Sequence, residues 1–384
     1  MEIINFILFI IISIFYLSLV KVEKKNQLYE FLLFSLIIGI FFNYEGHTSD
    51  ISRYVMLPQQ MHNLSFIEIF RKDDFLLQLL AKIVSYITTE PRFFLIVVCI
   101  GYLLVFRKVL DVVLYNTSYH KKTIISWASS LLLIYSFLNI NALRFGFATV
   151  FYLWFVLEYF INNDKRFLFC VWLTPFIHFS YWFLVPLPFL SIFLRERLAL
   201  AIVIMIVTFL FSNKTISINI NDFVSHYFSE SIADHTSLYA SEEGLDYMNE
   251  RYSTDFTNRS DRGKIASAIF PVKNYIIGSA ILMISILGFK KIKTNGYECQ
   301  LIVLILLAFS FANIGSSVSN GDRFYHLATA IAVFISFFLL FNNKQKTIEI
   351  NQFSFFVVLS KLIMLTAIIH GLLGLYAGRY FLTL

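Results

Sequence analysis

The chain has 384 residues, 58% of them hydrophobic and 15% charged, with a formal net charge of +6 and a mean hydropathy of +0.70. No water-soluble domain hides that much apolar surface, so a soluble globular fold is excluded; the basic excess belongs to membrane-flanking loops and implies no nucleic acid. Apolar runs recur along the whole length without strict alternation, which excludes a barrel and predicts an all-α, polytopic transmembrane helical bundle of about twelve spans, a single integral membrane domain over 1–384.

The spans are predicted at 3–20, 28–43, 92–106, 123–139, 142–161, 167–179, 181–194, 198–212, 274–289, 299–313, 324–341 and 353–372. The first run, "IINFILFIIISIFYLSLV", has no basic segment before it and no small-residue cleavage site after it, so it reads as an uncleaved span rather than a signal peptide. Placing Lys21, Lys24 and Lys25 in the cytoplasm puts every other short basic loop there too: Arg107–Lys108 with Lys121–Lys122, Lys165–Arg166, Arg195 with Arg197, Lys290–Lys293, and Lys344 with Lys346. Both termini then lie outside. The pair 167–179 and 181–194 is short and holds Pro175, Pro186 and Pro188; it reads as two crossings or as a tight or re-entrant hairpin.

Two extracytoplasmic loops are long, 44–91 and 213–273. The first holds "YEGHTSDISRY" and an amphipathic stretch, "FLLQLLAKIVSYI", suited to lying along a membrane surface. The second is rich in Ser, Asn, Asp and Tyr. Long loops in compact proteins are usually functional or disordered. Cys99, Cys170 and Cys299 sit in or beside apolar runs without metal spacing and read as small core hydrophobes.

In this topology Arg144, in "NINALRFGFATVFYLWF", falls in the first turn of an outward-starting helix that Asn141 can cap. The N-terminal end of a helix is already partly positive, so a cation there calls for an anion nearby. Arg323, in "SSVSNGDRFYHLATA", repeats the arrangement on the eleventh span, with Asp322 or Asn320 as cap. Free N–H groups and a planar guanidinium make each a plausible phosphate anchor. The plainer alternatives are snorkelling to the headgroups and, for Arg323, pairing with Asp322. His178, in "TPFIHFSYWF", falls at the same depth and reads either as a hydrogen-bonded core residue or as an acid–base group. The first loop adds Glu45, His47, Asp50, Arg53 and Tyr54, but with no metal-ligand spacing, so no metal is expected. Lys361 is an intramembrane charge with no evident partner.

An Asp and Tyr in the first outer loop ("SDISRY"), an Arg at the outer start of a middle span ("NALRFGFA"), an Ile-His-x-Ser element ("IHFS") and a late Arg-aromatic element ("DRFYH") follow one another in this order. The order resembles the EpsG family of Wzy-type bacterial polysaccharide polymerases, over roughly residues 30–340. The family pattern most often has Arg-Gln after the middle Leu and a small residue after His-x-Ser; here Arg144-Phe145 and Ser180-Tyr181 stand instead. The resemblance implies a glycosyltransferase that polymerises oligosaccharide repeat units carried on undecaprenyl diphosphate, at the outer face of the bacterial cytoplasmic membrane. It implies membrane lipids as surroundings, a polysaccharide chain-length regulator as partner, and no cofactor. Within that reading Arg144 and Arg323 bind diphosphate, His178 is a base or a diphosphate ligand, Asp50 is the alternative base, and Arg53, Tyr54 and Tyr325 support them. An O-antigen ligase-like transferase is the nearest rival. A flippase for the same lipid calls for related halves and midplane charges, and beyond Lys361 the sequence has few.

Overall fold

The computed structural model describes residues 54–72, 75–115, 143–211, 275–286, 297–315 and 322–341. The regular elements among them are all helical, as expected. The spans expected at 3–20, 28–43, 123–139 and 353–372 lie outside the described residues. What is described falls into two compact units, one up to Trp182 and one from Phe183 to Leu340.

The first unit begins with three short helices: α1 (Leu57–Met61), α2 (Phe66–Phe70) and α3 (Phe75–Ser85). They give structure to the part of the first long loop that follows Arg53. Ser65 and Glu68 start α2 with a reciprocal capping box. The Glu68 carboxylate accepts the Ser65 N–H at 2.7 Å, and the Glu68 N–H donates to the Ser65 hydroxyl at 3.3 Å. Bonds from the Ser65 backbone, then from its side chain, hold the Glu68 carboxyl below its ordinary range. Their contribution is therefore full above the ordinary carboxylate pKa and is lost as pH falls through the lowered one.

Two long helices follow, α4 (Pro91–Tyr115) and α5 (Leu143–Asn162). Pro91 suits a first helical position, where its missing N–H costs nothing. Segments Pro91–Val113 and Leu143–Asn162 are long and apolar enough to cross a membrane. The two helices run parallel: Phe94 and Val98 cluster with Leu143, and Tyr102 lies against Phe147, ring centroids 6.4 Å apart. Gly101 allows the approach, since a Cβ there would stand 3.2 Å from the Phe147 ring. The cap of α1–α3 closes the N-terminal end of this pair through Leu57, Met61, Ile69, Leu77, Ala81 and Val84. The helix outruns the expected span 92–106, because Arg107 and Lys108 continue α4 instead of ending it. Arg107 pairs with Asp111 one turn on, at 3.7 Å.

Asn163, in the left-handed region at φ 56°, ends α5. Asp164 then caps α6 (Lys165–Cys170) by accepting the Arg166 N–H at 3.1 Å. Beyond it prolines break the segment expected as two crossings or a hairpin. The stretch is a 3₁₀ turn Val171–Phe176 containing Pro175, a second 3₁₀ turn Phe179–Phe183, and the eight-residue α7 (Pro186–Phe193). Neither arm is one continuous helix, since proline removes donors and clashes with the preceding turn.

The second unit contains α7, α8 (Leu198–Phe211), α9 (Tyr275–Ile286), α10 (Tyr297–Gly315) and α11 (Asp322–Phe341). Helix α10 is buried almost all round and α8 packs beside it. Contacts of Thr208 with Asn313 make α8 and α10 parallel. Gly278 of α9 approaches Phe309, and the Tyr325 ring of α11 lies 6.2 Å from that of Phe309. The ends of α8 and α10 and the beginnings of α9 and α11 therefore share one end of the unit. Val203, Val207 and Leu210 of α8 remain exposed as an apolar stripe, as on a lipid-facing helix.

Gly315, at the end of α10, has no room for a side chain: a Cβ would overlap the Phe324 ring in the first turn of α11. Gly315→Ala is expected to destabilise the unit by about 1–3 kcal/mol, the usual cost of overpacking. A lowered melting temperature in detergent, with Gly278→Ala nearer the parent, is the measurement that checks it.

Candidate functional site

Arg144 is the second residue of α5, in its first turn as expected; Asn141 lies outside the described residues. Its guanidinium carbon stands 4.6 Å from the centroid of the Tyr54 ring. Tyr54 packs against the cap cluster that includes Leu143. The cap therefore brings a residue of the first loop onto an arginine some ninety positions later in the chain. A ring face attracts a cation by about 0.5–2 kcal/mol, which offsets part of the unfavourable position at the positive end of the helix.

His178 joins the two 3₁₀ turns and is 8% exposed. Phe145, the neighbour of Arg144, meets it edge-on with ring centroids 5.5 Å apart, and Phe179 stacks on it at 5.2 Å. The Ser180 backbone N–H points at Nδ1 from 3.3 Å and the Ser180 hydroxyl lies 2.8 Å from the same atom. A backbone N–H can only donate, so Nδ1 accepts, and this network assigns the proton of the neutral ring to Nε2. Phe176 and Phe75 bring the 3₁₀ turn to the start of α3, ring centroids 5.4 Å apart. Tyr54, Arg144 and His178 thus gather at the N-terminal end of α4 and α5.

Below them, the Thr149 and Tyr181 hydroxyls share a 2.6 Å hydrogen bond, and Thr149 also donates to the Phe145 carbonyl at 2.8 Å. Tyr181 is buried, packed on Phe145 at 5.5 Å. It fixes the 3₁₀ turn after His178 against α5, a role that its place among other aromatics in the sequence does not signal.

In the second unit Arg323 lies in the first turn of α11, half-buried. Asp322 is the first helical residue, and Asn320 lies outside the described residues. Two residues on, the Tyr325 hydroxyl donates to Asn313 Oδ1 at 2.6 Å. The Asn313 amide donates to the Thr208 hydroxyl at 3.2 Å and the Met205 carbonyl at 3.4 Å. One buried asparagine therefore fastens α11 to α8 and α10 beside Arg323. The cue was present in the sequence: Asn313 stands alone as an amide in the apolar run "LLAFSFANIG".

Asp50, Arg53, Lys361, Glu45 and His47 lie outside the described residues. Among the described residues there is no cluster of three or more His, Cys, Asp or Glu side chains able to hold a metal.

A protein-family model, described as the EpsG family, matches residues 26–376. No curated protein and no solved structure matches the chain.

Tyr325→Phe removes the hydroxyl that Asn313 accepts from, and Asn313→Leu takes away the acceptor of Tyr325 together with the bond to Thr208, whose hydroxyl keeps donating to the Ile204 carbonyl at 2.9 Å. Burying a polar group without its partner costs about 1–3 kcal/mol. Both variants are expected to melt earlier in detergent, Asn313→Leu the more, and Thr208→Val by an intermediate amount.

Proposed function

This chain belongs to the EpsG family, a family of Wzy-like polysaccharide polymerases, and from that premise we propose that it joins undecaprenyl-diphosphate-linked oligosaccharide repeats into a surface polysaccharide. It is a polysaccharide-polymerase-like helical membrane protein. In the finer reading it sits in the bacterial cytoplasmic membrane with its reacting groups on the extracytoplasmic side. The observation that carries this is the collection of Tyr54, Arg144 and His178 at one end of two parallel apolar helices. That end is opposite to the basic residues Arg107, Lys108, Lys165 and Arg166, which the positive-inside rule assigns to the cytoplasm.

The reaction forms one glycosidic bond. A hydroxyl of the acceptor glycan attacks the anomeric carbon of the donor, the bond to the diphosphate oxygen breaks, and polyprenyl diphosphate departs with the electron pair. The hydroxyl proton passes to a general base. Arg144 and Arg323 each anchor a diphosphate, the guanidinium fork and helix N-terminus both offering donors to it. With Ser180 held on Nδ1, His178 is best suited to donate from Nε2 to an anionic oxygen, which favours the ligand role over the base. Asp50 is then the candidate base. The polar loop 213–273, which joins α8 to α9 in the sequence, is a candidate glycan contact. A chain-length regulator is the expected partner, and no cofactor enters the step.

The reading is tested by the glycan profile of cells lacking the gene. A ladder that collapses to single repeats on the final acceptor supports a polymerase; repeats stranded on the lipid carrier favour a ligase or a flippase. Arg144→Ala and Arg323→Ala are each expected to reduce polymerisation by about 10²–10³-fold, the scale for one preorganised donor, at unchanged membrane abundance. Lysine at either position should recover only part, lacking the planar fork. His178→Gln, which keeps a donor, should retain more activity than His178→Ala, whereas a base at this position would leave both equally inactive.

A further inference from the structure

On α3 and the turn that follows it a lysine is buried while large apolar side chains are exposed, and α2 adds exposed apolar side chains around the exposed Glu68. Lys82 of α3 is 4% exposed, with Nζ donating to the His62 carbonyl at 2.6 Å and lying 4.8 Å from the centre of the Tyr86 ring. Ser85, also buried, donates to the Lys82 carbonyl at 2.7 Å. On the same turns Ile83, Tyr86 and Ile87 point outward, Ile87 being 73% exposed. Helix α2 continues the face with Phe66, Ile67 and Phe70, and the Phe66 ring lies 6.3 Å from that of Tyr86. Ile69, the side chain between them, goes to the core.

In water this arrangement would be unfavourable twice over. A lysine is almost never buried where it can be hydrated. Each exposed large apolar side chain forgoes about 1.5–3 kcal/mol of burial. Beside lipid the same order is the favourable one: the ammonium turns inward to the His62 carbonyl and the Tyr86 ring, away from hydrocarbon, and the apolar face meets its own kind. Contiguous apolar patches of this sort mark a membrane or a protein interface.

Continuity with the bilayer decides between them. Ile87 precedes Pro91, the start of the first described span, by four residues. Four extended residues reach about 14 Å at most, so this end of α3 stays near the depth at which α4 enters the membrane. Arg71 and Lys72, exposed at the end of α2, and Arg92 in the first turn of α4 flank the patch with charges suited to lipid phosphates. We propose that the α1–α3 cap is an interfacial element, seated in the leaflet that α4 enters, with Phe66, Ile67, Phe70, Ile83, Tyr86 and Ile87 in contact with lipid. The inference does not depend on which reaction the protein performs.

The test is nitroxide labelling of the full chain in liposomes of phosphatidylethanolamine and phosphatidylglycerol. In a Cys170→Ser background, which leaves Cys99 and Cys299 buried, labels are placed singly at Ile67→Cys, Ile87→Cys and the polar, exposed Gln59→Cys. Substitution at exposed positions leaves the core intact, and an unchanged elution volume in detergent checks the fold. Labels at 67 and 87 are expected to collide more often with dissolved oxygen than with a water-soluble nickel chelate, and the label at 59 to show the inverse ratio. Preference for the nickel chelate at 67 and 87 would overturn the proposal. Shielding from both relaxants would overturn it in favour of a protein cover, with spin–spin broadening identifying a second copy of this chain. Glycan polymerisation is not read, so this outcome is separate from that of the proposed activity.

Discussion

A guanidinium in the first turn of a helix stands against the partial positive charge of the unpaired N–H groups. Arg144 is in that position, and the organisation of the first unit follows from how it is held. Tyr54 lies across it, and Tyr54 reaches it because α1, α2 and α3 pack as a cap on the start of α4 and α5. A ring face satisfies a cation without neutralising it. The same cap and the two 3₁₀ turns bring His178 against Phe145, so groups from three distant stretches of chain converge at one end of two helices.

In the second unit an amide holds the start of the helix that carries Arg323. Asn313 accepts from Tyr325 and donates toward α8, and Gly315 admits the Phe324 ring where any other residue would push it away. Both contacts act on the first turn of α11, where Arg323 lies. In an apolar surrounding each such bond is retained because its alternative is an unpaired polar group. A ring thus lies against Arg144, whereas in the second unit a hydrogen-bonded framework holds the helical turn to which Arg323 belongs.

Much of this was legible in the sequence. The runs that became α5, α8, α10 and α11 match their expected spans within a few residues, because an apolar run of that length has few alternatives to a helix. Arg144 and Arg323 were placed in first turns by counting from the preceding polar residues. What the sequence did not reveal was tertiary. The pairing of Tyr54 with Arg144 depends on the folding of α1–α3, whose short helices carry weak periodic signals. Arg107 and Lys108 look in the sequence like the end of a span, yet α4 runs past them to Tyr115, with Arg107 paired to Asp111 on the way. The pair 167–179 and 181–194 is ambiguous in the sequence because prolines announce a break without stating its geometry. Tyr181 and Thr149 gave no signal at all, since a tyrosine among aromatics is indistinguishable from core until its hydroxyl is seen to bond.

The inverted cap and the held arginine are connected. A lipid-linked anion carries its hydrocarbon in the bilayer and its charge at the surface, so a protein that receives it needs a cationic group at the interface, with no water-facing wall between that group and the leaflet. Tyr54 belongs to the same packed cap whose outer face is apolar. If that face meets lipid, the ring that orients Arg144 is rooted in the leaflet itself. Burying Lys82 inside the cap removes a cation from that surface. The cap then has one physical task with two faces: apolar outward to hold its depth, aromatic inward to hold a charge.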